Sequence, residues 1–284
     1  MQNNILQNIR ASSSGFSKGQ KRIADFILNN SDKAAFMTAA KLGVSCQVSE
    51  STVVRFAAEL GYDGYPAMQR ALQEIIRGKL TSLQRIRVDE EQTHNADVFT
   101  RVMQRDMDAI HTAITETDRG AFDTMVEKLL GARRIFILGL RSSSFLAGYL
   151  NFYLHLIFKN VVLVQNSAAG EIYEQMAHIG PGDVLLAISF PRYSKMVVQA
   201  ADMAVKCGAE VLALTDSQMS PLYQIAECSL MVRCEAISIV DSMTAPLSLL
   251  NALILALARR KSDDVAETYA QMEKIWSQYD IYWE

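Results

Sequence analysis

Two short polar runs hold most of the side chains in this chain that could grip a ligand. The first, Gly139-Leu-Arg-Ser-Ser-Ser, supplies Arg141, Ser142, Ser143 and Ser144. The second, Ser189-Phe-Pro-Arg-Tyr-Ser-Lys, supplies Ser189, Arg192, Tyr193, Ser194 and Lys195. Hydroxyls, a phenol and fixed cations without a nucleophile–base pair suit the binding of an oxygen-rich anion. The solvated alternative is a pair of polar loops in which a serine caps the following helix. One of Ser142, Ser143 and Ser144 is expected to do so.

The elements around these runs make the ligand reading sharper. Ile135–Leu138 and Val184–Ile188 are continuous apolar runs, the pattern of parallel strands covered on both faces. Each polar run follows its strand directly and opens a helical pattern, over 145–158 and 194–207. In open α/β sheets such strand-to-helix loops line the ligand crevice, because helix N-termini point into it. Further strands are predicted at 161–164, 211–214 and 230–232, with helices near 169–178, 220–226, 246–259 and 265–277. Together these make a doubly wound parallel sheet of about five strands. The aromatic tail Tyr279-Asp-Ile-Tyr-Trp reads as a surface or dimer anchor.

The first third of the chain is different. Residues 1–85 carry eleven Lys/Arg against six Asp/Glu, a net +5, and the remainder carries −8. A basic end on an acidic body places any polyanion partner at the N-terminal end. Residues 1–15 read as loosely ordered, broken by Ser12-Ser-Ser-Gly. Ser17 caps a helix to about Asn29. A short helix from Thr38 to Ser45, a turn at Cys46-Gln47 and a second helix capped by Ser49 follow. Gly43 is the small residue such a close crossing needs, and Val48, Val53 and Phe56 are the apolar anchors. This is helix-turn-helix spacing. Ser49, Glu50, Ser51, Thr52 and Arg55 are left at the start of the second helix, suited to end-first entry into a major groove. Lys41 is placed to touch phosphate. Gln47 stands where a glycine often makes the turn. Leu60-Gly61-Tyr62 closes the second helix, Pro66 opens the next, and the polar stretch 78–95 reads as a linker. Residues 97–117 and 119–131 read as amphipathic helices.

Other classes of function find little support. Cys46, Cys207, Cys228 and Cys234 show no CxxC spacing, and the four histidines are scattered, so neither disulfides nor a metal set are expected. No signal-peptide pattern and no membrane-length apolar run is present, which makes the cytoplasm the expected setting.

The segment Val48-Ser-Glu-Ser-Thr-Val-Val-Arg-Phe…Leu-Gly-Tyr-Asp-Gly-Tyr resembles the recognition segment of the RpiR family of sugar-responsive bacterial transcription regulators. The likeness extends from Phe16 to about Lys261. It implies an α/β protein: an N-terminal all-α helix-turn-helix domain over 1–80, a linker and connecting helix over 81–118, and a five-stranded SIS sugar isomerase domain over 119–284. It also implies an operator in double-stranded DNA and a phosphorylated sugar or sugar-acid effector, with no cofactor. Ser143 falls on the family's first-loop serine, and Ser189 and Ser194 fall on hydroxyl positions of the loop that holds the sugar phosphate. Arg141 replaces the second glycine of the first loop, and Pro191-Arg192 replaces a Ser-Gly pair. Two cations at normally small positions point to an effector with a second anionic group.

Two rival readings remain at this level. One is a catalytic SIS protein, in which Glu171, Glu174 and His178 on one helix face would supply the base an isomerase needs. The other is a ligand-free scaffold on DNA. Because one recognition helix reads only a few base pairs, a homodimer or homotetramer is expected. The helices near 145–158 and 246–260 are its expected surface, through Phe152, Leu156, Phe158, Leu249, Leu253 and Leu257.

Overall fold

The computed structural model describes residues 5–77, 85, 97–165, 170–234, 236–237 and 239–283. Most of the predicted linker, 78–95, lies outside the described residues. The chain divides into two compact units, Met1–His94 and Asn95–Glu284.

The first unit is all helical: α1 (Ile5–Ala11), α2 (Lys18–Asn29), α3 (Ser31–Ala34), α4 (Ala39–Ser45), α5 (Glu50–Glu59) and α6 (Tyr65–Arg77). Its helix starts follow from local chemistry. Ser17 accepts from the Gln20 amide while the Gln20 side chain accepts from the Ser17 amide, a full capping box. Thr38 and Ser49 cap α4 and α5 with side-chain oxygens. The inward faces meet in one core around Ile23, Leu42, Val53, Phe56 and Leu72. The expectation of loose order over residues 1–15 is corrected for 5–11, residues 1–4 lying outside the described residues: Ile5 and Ile9, one turn apart, are both buried on that core and hold α1 against it.

The second unit opens with α7 (Val98–Glu116) and α8 (Arg119–Gly131), then alternates: β1 (Arg134–Gly139), α9 (Ser143–Ile157), β2 (Val161–Val164), α10 (Glu171–Gln175), β3 (Asp183–Ile188), α11 (Lys195–Lys206), β4 (Glu210–Thr215) and β5 (Cys228–Met231). A two-residue hairpin pair, β6 (Ala236–Ile237) and β7 (Val240–Asp241), precedes α12 (Thr244–Arg260) and α13 (Ser262–Gln278). The five main strands are all parallel, in the order β2-β1-β3-β4-β5. Alternate residues supply the two faces. Ile135, Ile137, Leu186 and Leu212 pack under α8, α9 and α12; Phe136, Leu138, Ala187 and Ala213 pack under α10 and α11. Alanines on the second side, facing Ala200, Ala201 and Ala204, allow α11 to approach closely.

At the amino edge Asp183 is fully buried and holds Arg133 and Arg134 together. Arg133 donates to its two oxygens at 2.9 and 2.8 Å, Arg134 at 3.2 and 2.7 Å, and the Gly180 amide at 3.0 Å. Burial pushes the carboxyl up, but these donors outweigh it and hold it well below the usual carboxylate range. β1 and β3 are thereby fixed in register.

Three further expectations change. Residues 220–226 form turns rather than a helix, with Ser220 Oγ accepting from the Leu222 amide at 3.3 Å. α10 stops at Gln175, so His178 is off the helix. Of the six apolar side chains expected on a subunit surface, only Phe152 is well exposed, at 63%. Leu156, Leu249, Leu253 and Leu257 fill the unit's own core, and Phe158 is half-buried under Lys261. The sheet face that α9 and α12 cover is wide enough to consume those leucines.

Candidate functional site

The sheet reverses direction of growth between β1 and β3, since β2 lies to one side and β4 to the other. Such switch points open a crevice between the loops leaving the two strands. Here that crevice has a volume of about 570 Å³ and is walled by Gly139, Arg141, Ser144, Gln165, Ser194 and Met196, among others. A second hollow of about 500 Å³, between α8 and α12 beside the Arg260–Glu127 ion pair, touches no carboxyl-edge loop. The crevice is the one with convergent ligand chemistry.

The β1 loop is shaped by two backbone constraints. A Cβ on Gly139 would stand 2.5 Å from the Ser143 carbonyl oxygen, so only glycine lets α9 start this close to the strand. Arg141 then takes a left-handed conformation, φ +57°, the region that favours glycine. The arginine therefore replaces a glycine in side chain but not in backbone path. Arg141 is exposed and lines the crevice, and its guanidinium makes no hydrogen bond or ion pair among the described residues. Ser144 is exposed and donates to the Arg141 carbonyl at 2.6 Å. Ser143 is buried. Ser142 occupies the cap position of α9, yet no side chain caps that helix. The Ser143, Ser144 and Phe145 amides that open α9 donate instead to the carbonyls of Leu140, Arg141 and Ser142.

The β3 loop is held from inside. Buried Ser189 accepts from the Ser194 amide at 3.3 Å, and its carbonyl accepts from the Thr215 hydroxyl at 2.8 Å. Tyr193 turns away from the crevice and donates to Asp216 at 2.8 Å. Burial pushes both Tyr193 and Asp216 up; for Asp216 the hydrogen bonds from Tyr193 and Thr215 oppose the rise without cancelling it. Ser194 begins α11 with no side-chain cap bond and lines the crevice. Arg192 and Lys195 are exposed and do not line it.

The crevice thus unites Arg141, Ser144 and Ser194 from the predicted set. Ser143 and Ser189 lie behind it as buried loop supports. Gln165 was missed from sequence. It exits β2, and its backbone forms a double hydrogen bond with the Gln175 side chain, 2.9 and 2.7 Å, that ties the strand end to α10. The trio Glu171, Glu174 and His178 does not form one helical face. The His178 carbonyl accepts from Arg134, at the opposite, amino edge of the sheet.

In the first unit, α4 and α5 cross as the turn requires. A Cβ on Gly43 would sit 2.9 Å from the Val48 carbonyl oxygen. Gln47 adopts φ +54°, and its carbonyl accepts from Arg22 at 3.2 Å. Lys41, Ser49, Glu50, Ser51 and Arg55 are exposed and Thr52 is half-buried. The Ser49 hydroxyl pairs with those of Ser51 and Thr52 at 2.9 and 2.8 Å, and Arg55 Nε donates to the Ser51 carbonyl at 3.3 Å. Glu50 falls in the first turn of α5, where the helix dipole favours an acid.

A helix-turn-helix unit and an α/β unit with a switch-point crevice define a two-domain transcriptional regulator. The model of the helix-turn-helix domain, rpiR family, matches residues 3–78, and that of the SIS domain matches residues 128–256. The chain thus joins an rpiR-family helix-turn-helix domain to a SIS domain. It is 29% identical over 228 residues to the uncharacterized HTH-type transcriptional regulator YfhH of Escherichia coli, covering 78% of this chain and 79% of that one. It is 28% identical over 219 residues to the HTH-type transcriptional regulator HexR of Pseudomonas aeruginosa, covering 75% and 73%. Among solved structures, Vibrio vulnificus NanR complexed with ManNAc-6P has the same fold, with a TM-score of 0.60 at 24% identity over 97% of this chain and 99% of that one. The sugar isomerase domain of an RpiR transcription factor from Sphaerobacter thermophilus matches 63% of this chain and 99% of its own, with a TM-score of 0.60 at 21% identity. No described helix is long and apolar enough to cross a membrane, and among the described residues no cluster of His, Cys, Asp and Glu could hold a metal.

Proposed function

We propose that the protein binds an operator in double-stranded DNA through α4 and α5 and senses a phosphorylated sugar or sugar acid in the crevice between β1 and β3, controlling genes of sugar metabolism. The observation that carries the effector reading is Arg141: a cation without a partner among the described residues, on a backbone conformation that disfavours it, in the wall of the switch-point crevice. Strain at such a position persists where surrounding structure holds it for a task. Ser144, Ser194 and the amides opening α11 suit one phosphate. Arg141 suits a carboxylate or second phosphate. That the V. vulnificus protein of the same fold is complexed with ManNAc-6P supports a sugar phosphate as the class of effector.

Supporting binding rather than turnover, His178, one of the three base candidates of the isomerase reading, has its carbonyl bonded to Arg134 at the amino edge. Assembly into a homodimer or homotetramer is supported by α7. One face packs on α12, where Asp106 accepts from Ser242 and Thr244, while Phe99, Met103, Met107 and Ile114 stay exposed along the other. Calorimetric titration of the full chain with a hexose 6-phosphate and its 6-phosphoaldonate tests the effector reading. The acid is expected to bind more tightly by about 1.5–3 kcal/mol. Equal affinity would return Arg141 to the solvated rim.

A further inference from the structure

Val54 sits on the outward face of α5, 42% exposed, one turn after Ser51 and one turn before Ala58. The buried face of the helix is taken by Val53, Phe56 and Ala57. A β-branched residue is a poor choice for a solvent-facing helical position, since it loses rotamer freedom there and gains no packing. Its polar neighbours are already engaged. The Ser51 and Thr52 hydroxyls are turned back onto Ser49, and Arg55 Nε is bonded to the Ser51 carbonyl, which leaves the guanidinium's terminal nitrogens as the outward donors. The face that α5 offers to a groove therefore combines the Glu50 carboxylate, one cationic fork and one isopropyl group, rather than a row of hydroxyls.

In the major groove, thymine alone presents a methyl group at its edge, and an apolar side chain beside it discriminates thymine from cytosine without any hydrogen bond. We infer that Val54 is a specificity-determining residue that reads a thymine of the operator by packing against its 5-methyl group. The inference rests on the proposal that α5 enters the major groove. Arg55, next to Val54 in sequence, would then contact a base or phosphate adjacent to that thymine.

Selecting the full chain's preferred duplex from a random pool, then replacing each thymine singly by uracil, isolates the methyl group while leaving every hydrogen-bonding edge intact. At one thymine in each recognition-helix footprint the wild-type chain is expected to lose about fourfold in affinity, the factor given by about 0.8 kcal/mol for one buried methyl-sized group. Val54→Ala should abolish that sensitivity, so that uracil and thymine duplexes bind within about twofold of each other. Val54→Thr, which keeps the β-branch but exchanges a methyl for a hydroxyl, should fall between. Because Val54 is outside the core, both variants should match the wild type in helical content, which circular dichroism checks. Selection of a duplex that is indifferent to uracil at every thymine, or an unchanged uracil penalty in Val54→Ala, overturns the inference alone. Failure to enrich any duplex overturns the major-groove reading as well.

Discussion

The phenolic hydroxyl of Tyr193 donates to the Asp216 carboxylate at 2.8 Å, tying the loop after β3 to the end of β4. The bond explains how a loop with Pro191 and Arg192 in place of two small residues keeps one path beside the crevice. Tyr193→Phe leaves a half-buried carboxylate short of a donor, so a loss of about 1–3 kcal/mol is expected. Urea denaturation followed by circular dichroism measures it. An unchanged midpoint would remove this tie from the account of the loop.

Two non-glycine residues with positive φ make a paired prediction. Gln47 (φ +54°) and Arg141 (φ +57°) both stand in glycine-favouring conformations. Gln47→Gly relieves backbone strain of about 1 kcal/mol, partly offset by a more disordered unfolded chain. Thermal unfolding should show a small stabilisation. Arg141→Gly should gain similarly in stability but lose its preference for the acidic member of the sugar-phosphate pair. Loss of stability with unchanged preference would contradict the assignment of Arg141 as a strained ligand group.

Arg55 and Lys41 are expected to differ in kind. Arg55→Ala should weaken binding to a selected operator by about 1–3 kcal/mol and blur its sequence preference. Lys41→Ala should weaken all duplexes alike and flatten the salt dependence of binding. Fluorescence anisotropy over a salt series separates the two. Identical behaviour would mean that α5 is not the reading helix.

Asp183 gives a pH-dependent prediction. Its folded carboxyl is held below the value of an unfolded aspartate, about 3.9, so its contribution is fully present above that value. The contribution is lost as pH falls through the lowered folded value. Asp183→Asn, which leaves Arg133 and Arg134 without their carboxylate, should cost about 3 kcal/mol near pH 7. The gap from the wild type should narrow as the pH drops below about 4. A gap that stays constant from pH 7 to pH 3 would show that shape rather than charge holds β1 to β3.

How legible all this was depended on the range of the interactions. Ser17 and Ser49 cap helices through partners three residues away, so their role is readable from local order. Gly43 and Gln47 were readable because a short turn between helices leaves few backbone solutions. The apolar runs of β1 and β3 announced a covered sheet, and the sheet order then set the crevice. What failed was non-local or marginal. The partner of Tyr193 is 23 residues away on another strand, so nothing near Tyr193 showed it turning from the ligand. Ile5 and Ile9 form too short a periodic signal to stand against the serine-rich break that follows. His178 kept helical spacing with Glu171 and Glu174, yet the helix ends at Gln175, where the Gln175 side chain is drawn back to Gln165. Gln165 itself carried no motif.

The proposed sensing requires that occupancy of the β1–β3 crevice be coupled to DNA binding by the α4–α5 unit. The most direct measurement is the affinity of the full chain for its selected duplex with and without saturating hexose 6-phosphates and 6-phosphoaldonates, for the wild type and for Arg141→Gly. At least one 6-phosphoaldonate is expected to change the wild-type duplex affinity by fivefold or more, the usual scale of a coupling free energy above about 1 kcal/mol. That change should be much reduced in Arg141→Gly. Duplex affinity indifferent to every phosphorylated sugar and sugar acid, in a chain that binds its duplex normally, would contradict the account.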